Sequence, residues 1–370
     1  MRNLLDSCIC SNFVSTGTGL KVHYLESKPK NFTKYTPTIL LLHGFPELSF
    51  SWRKIMPGLT NAGFRVIAPD QRGYGKTKGG SKNFDDNIDE YNLLNLSIDI
   101  ISFLQNLNIK KVDLLVGHDA GSIVAGTSAL IRGDIFKSVV MMSAPYTGIP
   151  KIIKKELQDP IHQDLKELKQ PRKHYQWYYS TKQANTDMHL KSKKKLHQFL
   201  RSYFHTKSAD WNKNSPHELK SWSAKELAKL PEYYIMKLED TMVESVIKYL
   251  PRNKKHERWL NDDELGVYTE TFFKNGFQSA LNWYRCMTSN VQNKNLRIFF
   301  GKQIKIPSMF ISGEKDWGMF QKPGALKEMQ KKICKNFYGI KIVKNAGHWV
   351  QQEQPDAVLN ILLKFKNSLN

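Results

Sequence analysis

The chain has 370 residues, of which 40% are hydrophobic and 11% aromatic, and this composition excludes an intrinsically disordered chain. Its formal net charge at pH 7 is +22, carried by 45 lysines and only 11 arginines, whereas proteins that read bases or phosphates rely more on arginine. We therefore expect no specific nucleic-acid partner, and no membrane span either, because no stretch reaches the roughly 18 apolar residues that a span needs.

Short runs of leucine and β-branched residues alternate with helical patterns over about residues 20–148. The predicted strands cover 22–25, 38–42, 65–68, 112–116 and 138–142, and helical stretches lie near 91–107 and 121–132. This alternation is typical of βαβ units, so we predict an α/β fold with a mostly parallel sheet flanked by helices.

The strand pattern disappears between about residues 150 and 295, where lysine, tryptophan and tyrosine are frequent. Helical periodicity in this zone covers 161–168, 192–205, 224–249 and 262–290. Strands return at 306–311 and 340–343, and a last amphipathic helix over 355–368 begins at Pro355. The simplest organisation is an α/β core, residues 1–149 and 296–370, interrupted by a helical cap at 150–295.

A motif that combines an acid with small residues follows the strand at 112–116. In Gly117-His118-Asp119-Ala120-Gly121, small residues flank a central aspartate. A nucleophile elbow needs such residues because its turn is strained and its backbone segments crowd together. An aspartate that caps the following helix would produce the same motif, which therefore does not decide between the two by itself. On an elbow, the side chain of His118 should point away from the site.

Three further motifs each follow a predicted strand. The segment 43–47 contains Gly44 and Pro46 and suits an oxyanion-hole loop, in which the N–H groups of Phe45 and Ala120 would point at one site. Asp316 and His348 follow the strands at 306–311 and 340–343. Together with Asp119 they occur in the order nucleophile, acid, base, which is the order of the α/β-hydrolase triad.

On these motifs the chain resembles the soluble epoxide hydrolases, within the α/β-hydrolase superfamily that also includes haloalkane and haloacetate dehalogenases. The matching segments span nearly the whole chain in order: 43–47, Ser51-Trp52-Arg53, 70–75, 117–119, 314–316 and 347–349. Two matches in the cap, Tyr175-Gln176-Trp177-Tyr178 and Asn282-Trp283-Tyr284-Arg285, resemble the segments that carry the ring-opening tyrosines. The resemblance implies Tyr175 and Tyr284 as the acid pair, with Tyr178 or Tyr179 as alternatives to Tyr175.

The resemblance and the residue types together imply a two-step mechanism. A carboxylate attacks strained sp³ carbon well and gives an alkyl ester, here on Asp119. Water activated by His348 and Asp316 would hydrolyse this ester to release a vicinal diol, and no cofactor or metal is called for. Aromatic residues of the cap suggest an apolar pocket for a lipid or aromatic epoxide, and we expect substrate contacts from Trp177, Tyr178, Trp283 and Trp317.

Two other functions use the same scaffold. A dehalogenase would share Asp119, Asp316 and His348, but Ala120 stands where haloalkane dehalogenases place a tryptophan that holds the halide. The third possibility is a non-catalytic protein that binds small molecules. The N-terminal residues contain no secretion signal, and the four scattered cysteines match neither a disulfide framework nor a metal site, so we expect free thiols and a cytoplasmic location.

Overall fold

The computed structural model describes residues 4–150, 159–252, 255–289 and 291–369. In chain order, the strands are β1 (Ile9–Ser15), β2 (Lys21–Ser27), β3 (Thr38–Leu42), β4 (Arg65–Pro69), β5 (Leu114–His118), β6 (Val139–Met142), β7 (Arg172–His174), β8 (Ile235–Lys237), β9 (Ser308–Gly313) and β10 (Phe337–Val343). Eight of them form one sheet in the order β1-β2-β4-β3-β5-β6-β9-β10. Strand β2 is antiparallel to its neighbours, and all other adjacent pairs are parallel, which confirms the predicted sheet.

Helices cover both faces of this sheet and fill the segment between β6 and β9. The α-helices are α1 (Met56–Asn61), α2 (Leu93–Asn106), α3 (Ala120–Ile131), α4 (Ile161–Lys166), α5 (Tyr175–Tyr179), α6 (Lys182–Met188), α7 (Lys193–Lys207), α8 (Ala224–Leu227), α9 (Met242–Ile247), α10 (Asp262–Asn275), α11 (Gln278–Met287), α12 (Ala325–Glu328), α13 (Val350–Glu353) and α14 (Pro355–Asn367). Short 3₁₀ segments occur at Ser49–Trp52, Asp89–Tyr91, Lys255–Arg258, Lys294–Phe299 and Trp317–Phe320, and a π-helical turn at Met329–Ile333. None of the helices in the described ranges is long and apolar enough to cross a membrane.

The central strands are apolar throughout because both of their faces are buried. In β3, Leu40 and Leu42 belong to the core cluster that contains residues of α2 and α3, whereas Ile39 and Leu41 belong to the cluster that contains α1 and α14. Parallel strands covered by helices on both sides lose the alternation of polar and apolar residues. The first cluster continues into the segment between β6 and β9, which we call the insertion.

Two sequence predictions for the insertion are wrong. The stretch 224–249 is not one helix, because α8 ends at Leu227 and β8 pairs with β7 before α9 begins. Pro231 lacks the N–H that a continuing helix needs, and the aromatic and β-branched residues that follow favour a strand. The stretch 262–290 is divided into α10 and α11 at Gly276, whose φ is 66°. Strands therefore do occur in this zone.

One strand of the main sheet was not predicted. The edge strand β1 has mostly partly or fully exposed residues, so it lacks the apolar pattern that identifies a strand. The predicted domain division remains a prediction; its first boundary, at 149/150, adjoins residues 151–158, which lie outside the described residues.

Arg53 connects the core to the insertion through a buried ion pair. Its Nε and Nη2 lie 3.0 and 2.9 Å from Oε1 of Glu264 in α10, and its Nη1 donates to Gln352 at 2.8 Å. The other carboxylate oxygen of Glu264 accepts from the backbone N–H of Asn261 at 2.9 Å and closes the N-terminal cap of α10. Glu264 therefore neutralises a buried cation and caps a helix at the same time.

We expect Glu264→Gln to destabilise the fold by roughly 3 kcal/mol, because the amide can still cap α10 but leaves Arg53 buried without its counter-charge. Urea unfolding measures this loss. The control is Lys182→Gln, which breaks the Lys182–Asp85 pair between core and insertion, whose side chains are 71% and 78% exposed. It should shift the unfolding midpoint much less. Equal shifts for the two variants would contradict a special role for the buried pair.

Candidate active site

Asp119 occupies the sharp turn between β5 and α3. Its φ is 53° and its ψ −120°, a conformation that is costly for a residue other than glycine. A Cβ at Gly117 would lie 2.2 Å from the carbonyl oxygen of Gly121, and a Cβ at Gly121 would lie 2.4 Å from the carbonyl oxygens of His43 and Leu42. The flanking glycines are therefore required by backbone crowding, as expected of a nucleophile elbow.

Two backbone N–H groups face or flank the Asp119 carboxylate. The N–H of Phe45, just past β3, donates to Asp119 Oδ1 at 3.0 Å. A Cβ at Gly44 would lie 2.4 Å from the Asp119 Cβ, so only glycine allows this approach, and the Phe45–Pro46 peptide is cis. Ala120 is the first residue of α3, and its N–H therefore has no acceptor inside the helix. The arrangement suits an oxyanion hole.

The structure brings Asp316 and His348 to the same edge of the sheet as Asp119. Asp316 follows β9, and its Oδ1 accepts from His348 Nδ1 at 3.0 Å and from the Gly318 N–H at 2.6 Å. His348 Nε2 lies 3.4 Å from Asp119 Oδ2, which is an ion-pair distance and longer than a good hydrogen bond. The three residues thus form one chain of charged groups that ends at the Asp119 carboxylate.

The charges of these groups support one another. Burial disfavours ionisation of Asp119, but the close contact and charge of His348, together with the charge of Lys207, outweigh it and lower the Asp119 pKa. Burial also disfavours the His348 cation, yet Asp316 and Asp119 act against burial and Lys207 and raise the His348 pKa to about 9. At neutral pH the site therefore holds an ionised Asp119 beside an imidazolium.

A second buried pair lies beneath the site. His118 Nδ1 is 2.5 Å from Glu47 Oε2, and its Nε2 is 2.7 Å from the backbone carbonyl oxygen of His348. The other oxygen of Glu47 accepts from Gln351 at 2.8 Å. His118 therefore points away from the reacting side of Asp119, as predicted, and holds the backbone that carries His348. Glu47 was part of the sequence motif at 43–47, but nothing in the motif indicated this contact.

Tyr175 and Tyr284 reach the site from the insertion. Both are 5% exposed, and their ring centroids are 6.0 Å apart. The Tyr284 ring packs edge-on against Phe45, with centroids 5.4 Å apart, and the Tyr175 hydroxyl donates to Gln321 at 3.0 Å. Burial raises the pKa of both tyrosines well above 10, and the charge of Asp119 raises them further. Both hydroxyls therefore keep their protons at neutral pH.

The hydroxyls of the two alternative tyrosines are used elsewhere in the insertion. Tyr178 donates to Asp187 at 2.8 Å, and its ring lies 5.0 Å from Lys173 Nζ. Tyr179 donates to Tyr203 at 3.3 Å. Asp119 is among the charges that most strongly raise the pKa of Tyr175, but not those of Tyr178 and Tyr179, which favours Tyr175 as the partner of Tyr284.

The three tryptophans expected to contact substrate occupy different positions. Trp177 lies two residues from Tyr175 on α5 and so on a different face, where it packs against His162 and His174, with ring centroids 3.9 and 4.9 Å away. Trp283 packs on Tyr74 and donates to the carbonyl oxygen of Arg72 at 2.9 Å. Trp317 is buried next to Asp316, with its ring against His217. Of the three, only Trp283 packs on an aromatic residue whose pKa the charge of Asp119 raises, namely Tyr74.

Two side chains at the site were not identified from the sequence. Gln321, in the segment after the Trp317–Phe320 turn, accepts from Tyr175, and Lys207 contributes a positive charge near Asp119 and His348. Neither belongs to a recognisable motif, and Lys207 is one of 45 lysines. In the part of the chain that the structure describes, no group of three His, Cys, Asp or Glu side chains is placed to hold a metal ion.

Comparisons with known proteins identify the family of this chain and several relatives. The profile of a protein family described as alpha/beta hydrolase fold matches residues 37–355. Epoxide hydrolase A of Mycobacterium tuberculosis is 28% identical over 335 residues, which cover 90% of this chain and 91% of that protein. The bifunctional epoxide hydrolase 2 of Mus musculus is 25% identical over 96% of this chain, which spans only 55% of that protein. The solved structure of an epoxide hydrolase from an endophytic Streptomyces is 25% identical, with a TM-score of 0.77 over 98% of this chain and 97% of that one.

The crowding at the elbow leads to a test of the turn itself. Gly121→Ala places a methyl group 2.4 Å from two backbone carbonyl oxygens, so we expect a clear drop in the thermal unfolding midpoint. The matched control is Gly266→Ala in α10, where a Cβ would meet nothing within 4 Å. That change should stabilise the protein by about 0.5–1 kcal/mol through helix propensity. If both variants unfold at the wild-type temperature, the crowding is not a real constraint.

Proposed function

Because the chain belongs to the α/β-hydrolase fold family, we propose that it is an epoxide hydrolase that opens an apolar epoxide to a vicinal diol. The observation that carries this proposal is the pair of buried tyrosines, with ring centroids 6.0 Å apart, that the insertion places near Asp119. Burial and the charge of Asp119 raise the pKa of both well above 10, so both can donate a proton. The similarity to several proteins named epoxide hydrolase supports it.

The identity of the nucleophile selects the class of substrate. A carboxylate that attacks an ester carbonyl would form a reactive anhydride, whereas attack on a strained sp³ carbon gives a stable alkyl ester. In the first step Asp119 forms a bond to one epoxide carbon, and the bond between that carbon and the ring oxygen breaks. The oxygen takes a proton from Tyr175 or Tyr284, so that no free alkoxide has to form.

The second step hydrolyses this ester. The tyrosinate recovers its proton from the His348 imidazolium, and neutral His348, oriented by Asp316, then takes a proton from water. The hydroxide attacks the carbonyl carbon of the esterified Asp119. The N–H groups of Phe45 and Ala120 stabilise the tetrahedral oxyanion, a contribution of roughly 10²–10³ in rate per donor. Collapse releases the diol and restores the carboxylate and the imidazolium, and no step needs a cofactor.

The lining of the site supports an apolar substrate. The Phe45 ring is surrounded by the rings of Tyr179, Tyr203, Phe277 and Tyr284, with centroids 4.9–6.4 Å apart within this group. Such walls bind lipid or aromatic epoxides better than polar ones. A dehalogenase would instead need N–H donors for a halide ion, and Ala120 supplies no such side chain.

The role of the tyrosines is testable by single substitutions. Tyr175→Phe and Tyr284→Phe should each slow alkylation of Asp119, by up to about 10²–10⁴ if one tyrosine carries the step and by less if they share it. Tyr178→Phe should leave this rate unchanged, because its hydroxyl is bonded to Asp187. Single-turnover kinetics with an aryl epoxide measures the step. A slow Tyr178 variant beside fast Tyr175 and Tyr284 variants would reverse the assignment.

A trapped intermediate separates this mechanism from its alternatives. In His348→Gln, Asp119 can still be alkylated but the ester cannot be hydrolysed, so mass spectrometry should find one substrate mass on the peptide that contains Asp119. In heavy-oxygen water, the diol from the first turnover of wild-type enzyme should carry a light oxygen from Asp119. Solvent oxygen in that diol, with no adduct in the variant, would mean that water attacks the epoxide directly. An adduct that forms with a haloalkane but not with an epoxide would indicate a dehalogenase. If neither compound forms an adduct, the chain is a binding protein.

A further inference from the structure

Lys207, the last residue of α7, is buried inside a cage of aromatic rings. Lys207 is only 3% exposed, whereas most lysines of the described residues lie on the surface. The Nζ atom lies 4.7 Å from the ring centroid of Tyr234, 5.0 Å from that of Tyr203, and 5.7 Å from those of Tyr233 and Trp349. Aromatic faces attract a cation, and the cage therefore replaces part of the water that the ammonium loses.

The cage does not contain a counter-ion. None of the ion pairs formed between residues of the described ranges includes Lys207. A buried ammonium without a paired carboxylate is costly, so such lysines are rare unless they have a function. Because no carboxylate of the described residues lies within 4.0 Å of the Lys207 ammonium, its field extends to the charged groups beyond the rings.

Lys207 is connected to the catalytic residues in three ways. Its charge lowers the pKa of Asp119 and opposes the protonation of His348. Its backbone carbonyl oxygen accepts from the N–H of His348 at 2.8 Å. One wall of its cage is Trp349, the residue that follows His348 and whose ring lies 4.7 Å from the imidazole.

We propose that the caged Lys207 ammonium drives His348 to give up its proton once Asp119 has become a neutral ester, so that His348 becomes a base only in the second half-reaction. This inference rests on the proposed epoxide hydrolase function. Lys207 is then a positioning residue, because its charge acts on the substrate only through His348.

The reasoning follows the charges at the two stages. In the free enzyme, two anions, Asp119 and Asp316, balance two cations, His348 and Lys207. Alkylation moves the negative charge of Asp119 to the tyrosinate of Tyr175 or Tyr284. If the tyrosinate were neutralised by any proton other than that of His348, two cations would remain against Asp316 alone. The other titratable groups that face this cluster are the cage tyrosines, His118, which is paired with Glu47, and Glu353, which accepts from the N–H groups of Gly347 and Trp349. Burial raises the pKa of Glu353 to about 8. None of these groups reacts in the alkylation step, so none replaces the charge that Asp119 loses.

This excess is avoided when His348 itself supplies the proton. The acceptor is the tyrosinate left by ring opening, so the proton is conserved within the site. Asp119 is one of the two groups that raise the free-enzyme pKa of His348 to about 9, and Lys207 opposes them. Ester formation removes the contribution of Asp119, which raises the pKa of His348, and keeps that of Lys207, which lowers it. The pKa of His348 therefore falls in the alkyl-enzyme intermediate.

The test follows the hydrolysis of the alkyl-enzyme as a function of pH, by rapid mixing with excess epoxide and mass spectrometry. In wild-type enzyme the midpoint of this step should lie at least about one pH unit below 9. In Lys207→Met the midpoint should rise by about one pH unit, which slows hydrolysis roughly tenfold at pH values well below the midpoint, lets the adduct accumulate there and restores the rate at high pH. Lys207→Arg keeps the charge and should keep the wild-type midpoint.

Each outcome decides between specific possibilities. A Lys207→Met variant that is slower by the same factor at every pH has lost only structure, and the inference is then wrong. If Lys207→Met does not fold, the wild-type enzyme and Lys207→Arg still test the inference. It is wrong if the wild-type midpoint lies at 9 or if Lys207→Arg changes the midpoint. Failure to form any adduct in wild type and His348→Gln would instead refute the proposed function, which separates the two failures.

Discussion

The site depends on one constraint, the close packing of β3, β5 and the start of α3 around the turn at Asp119. Three glycines make it possible, because a Cβ at Gly44, Gly117 or Gly121 would lie 2.2–2.4 Å from neighbouring atoms. The turn brings Asp119 into hydrogen-bond distance of the Phe45 N–H and leaves the first N–H of α3 free. Nucleophile and oxyanion donors are thus set by backbone geometry, which does not depend on flexible side chains.

Burial of this carboxylate then determines the charges around it. A carboxylate whose side chain is only 13% exposed needs a cation, and His348 is the nearest; the imidazolium in turn needs Asp316. The backbone that carries His348 is held by His118, which is itself paired with Glu47. Each buried charge is therefore stabilised by the next, which is why the electrostatics and the geometry of the site cannot be separated.

Most structural features that depend on local sequence patterns were predicted from the sequence. Strands buried on both faces, such as β3 and β5, are recognisable from continuous apolar runs, and Asp119 and Asp316 each follow a buried strand. His348 follows the edge strand β10, which is largely exposed. Strand β1 was not predicted because most of its residues are polar or exposed. The stretch 224–249 was wrongly predicted as one helix because its helical periodicity continues across Pro231 and the short strand β8. The roles of Gln321 and Lys207 depend on contacts between distant segments, which no pattern along the chain records.

The insertion contributes more than the two tyrosines, because it also fixes the loop that carries the base. The N–H of His348 donates to the carbonyl oxygen of Lys207, and the indole N–H of Trp349 donates to that of Phe204, both at 2.8 Å. In return, Glu353 of the core accepts from the N–H of Ala209, also at 2.8 Å. The C-terminal end of α7 and the His348 loop therefore form one unit. Any displacement of α7 would move the imidazole relative to Asp119, so the position of the base depends on the docked insertion as much as on the sheet.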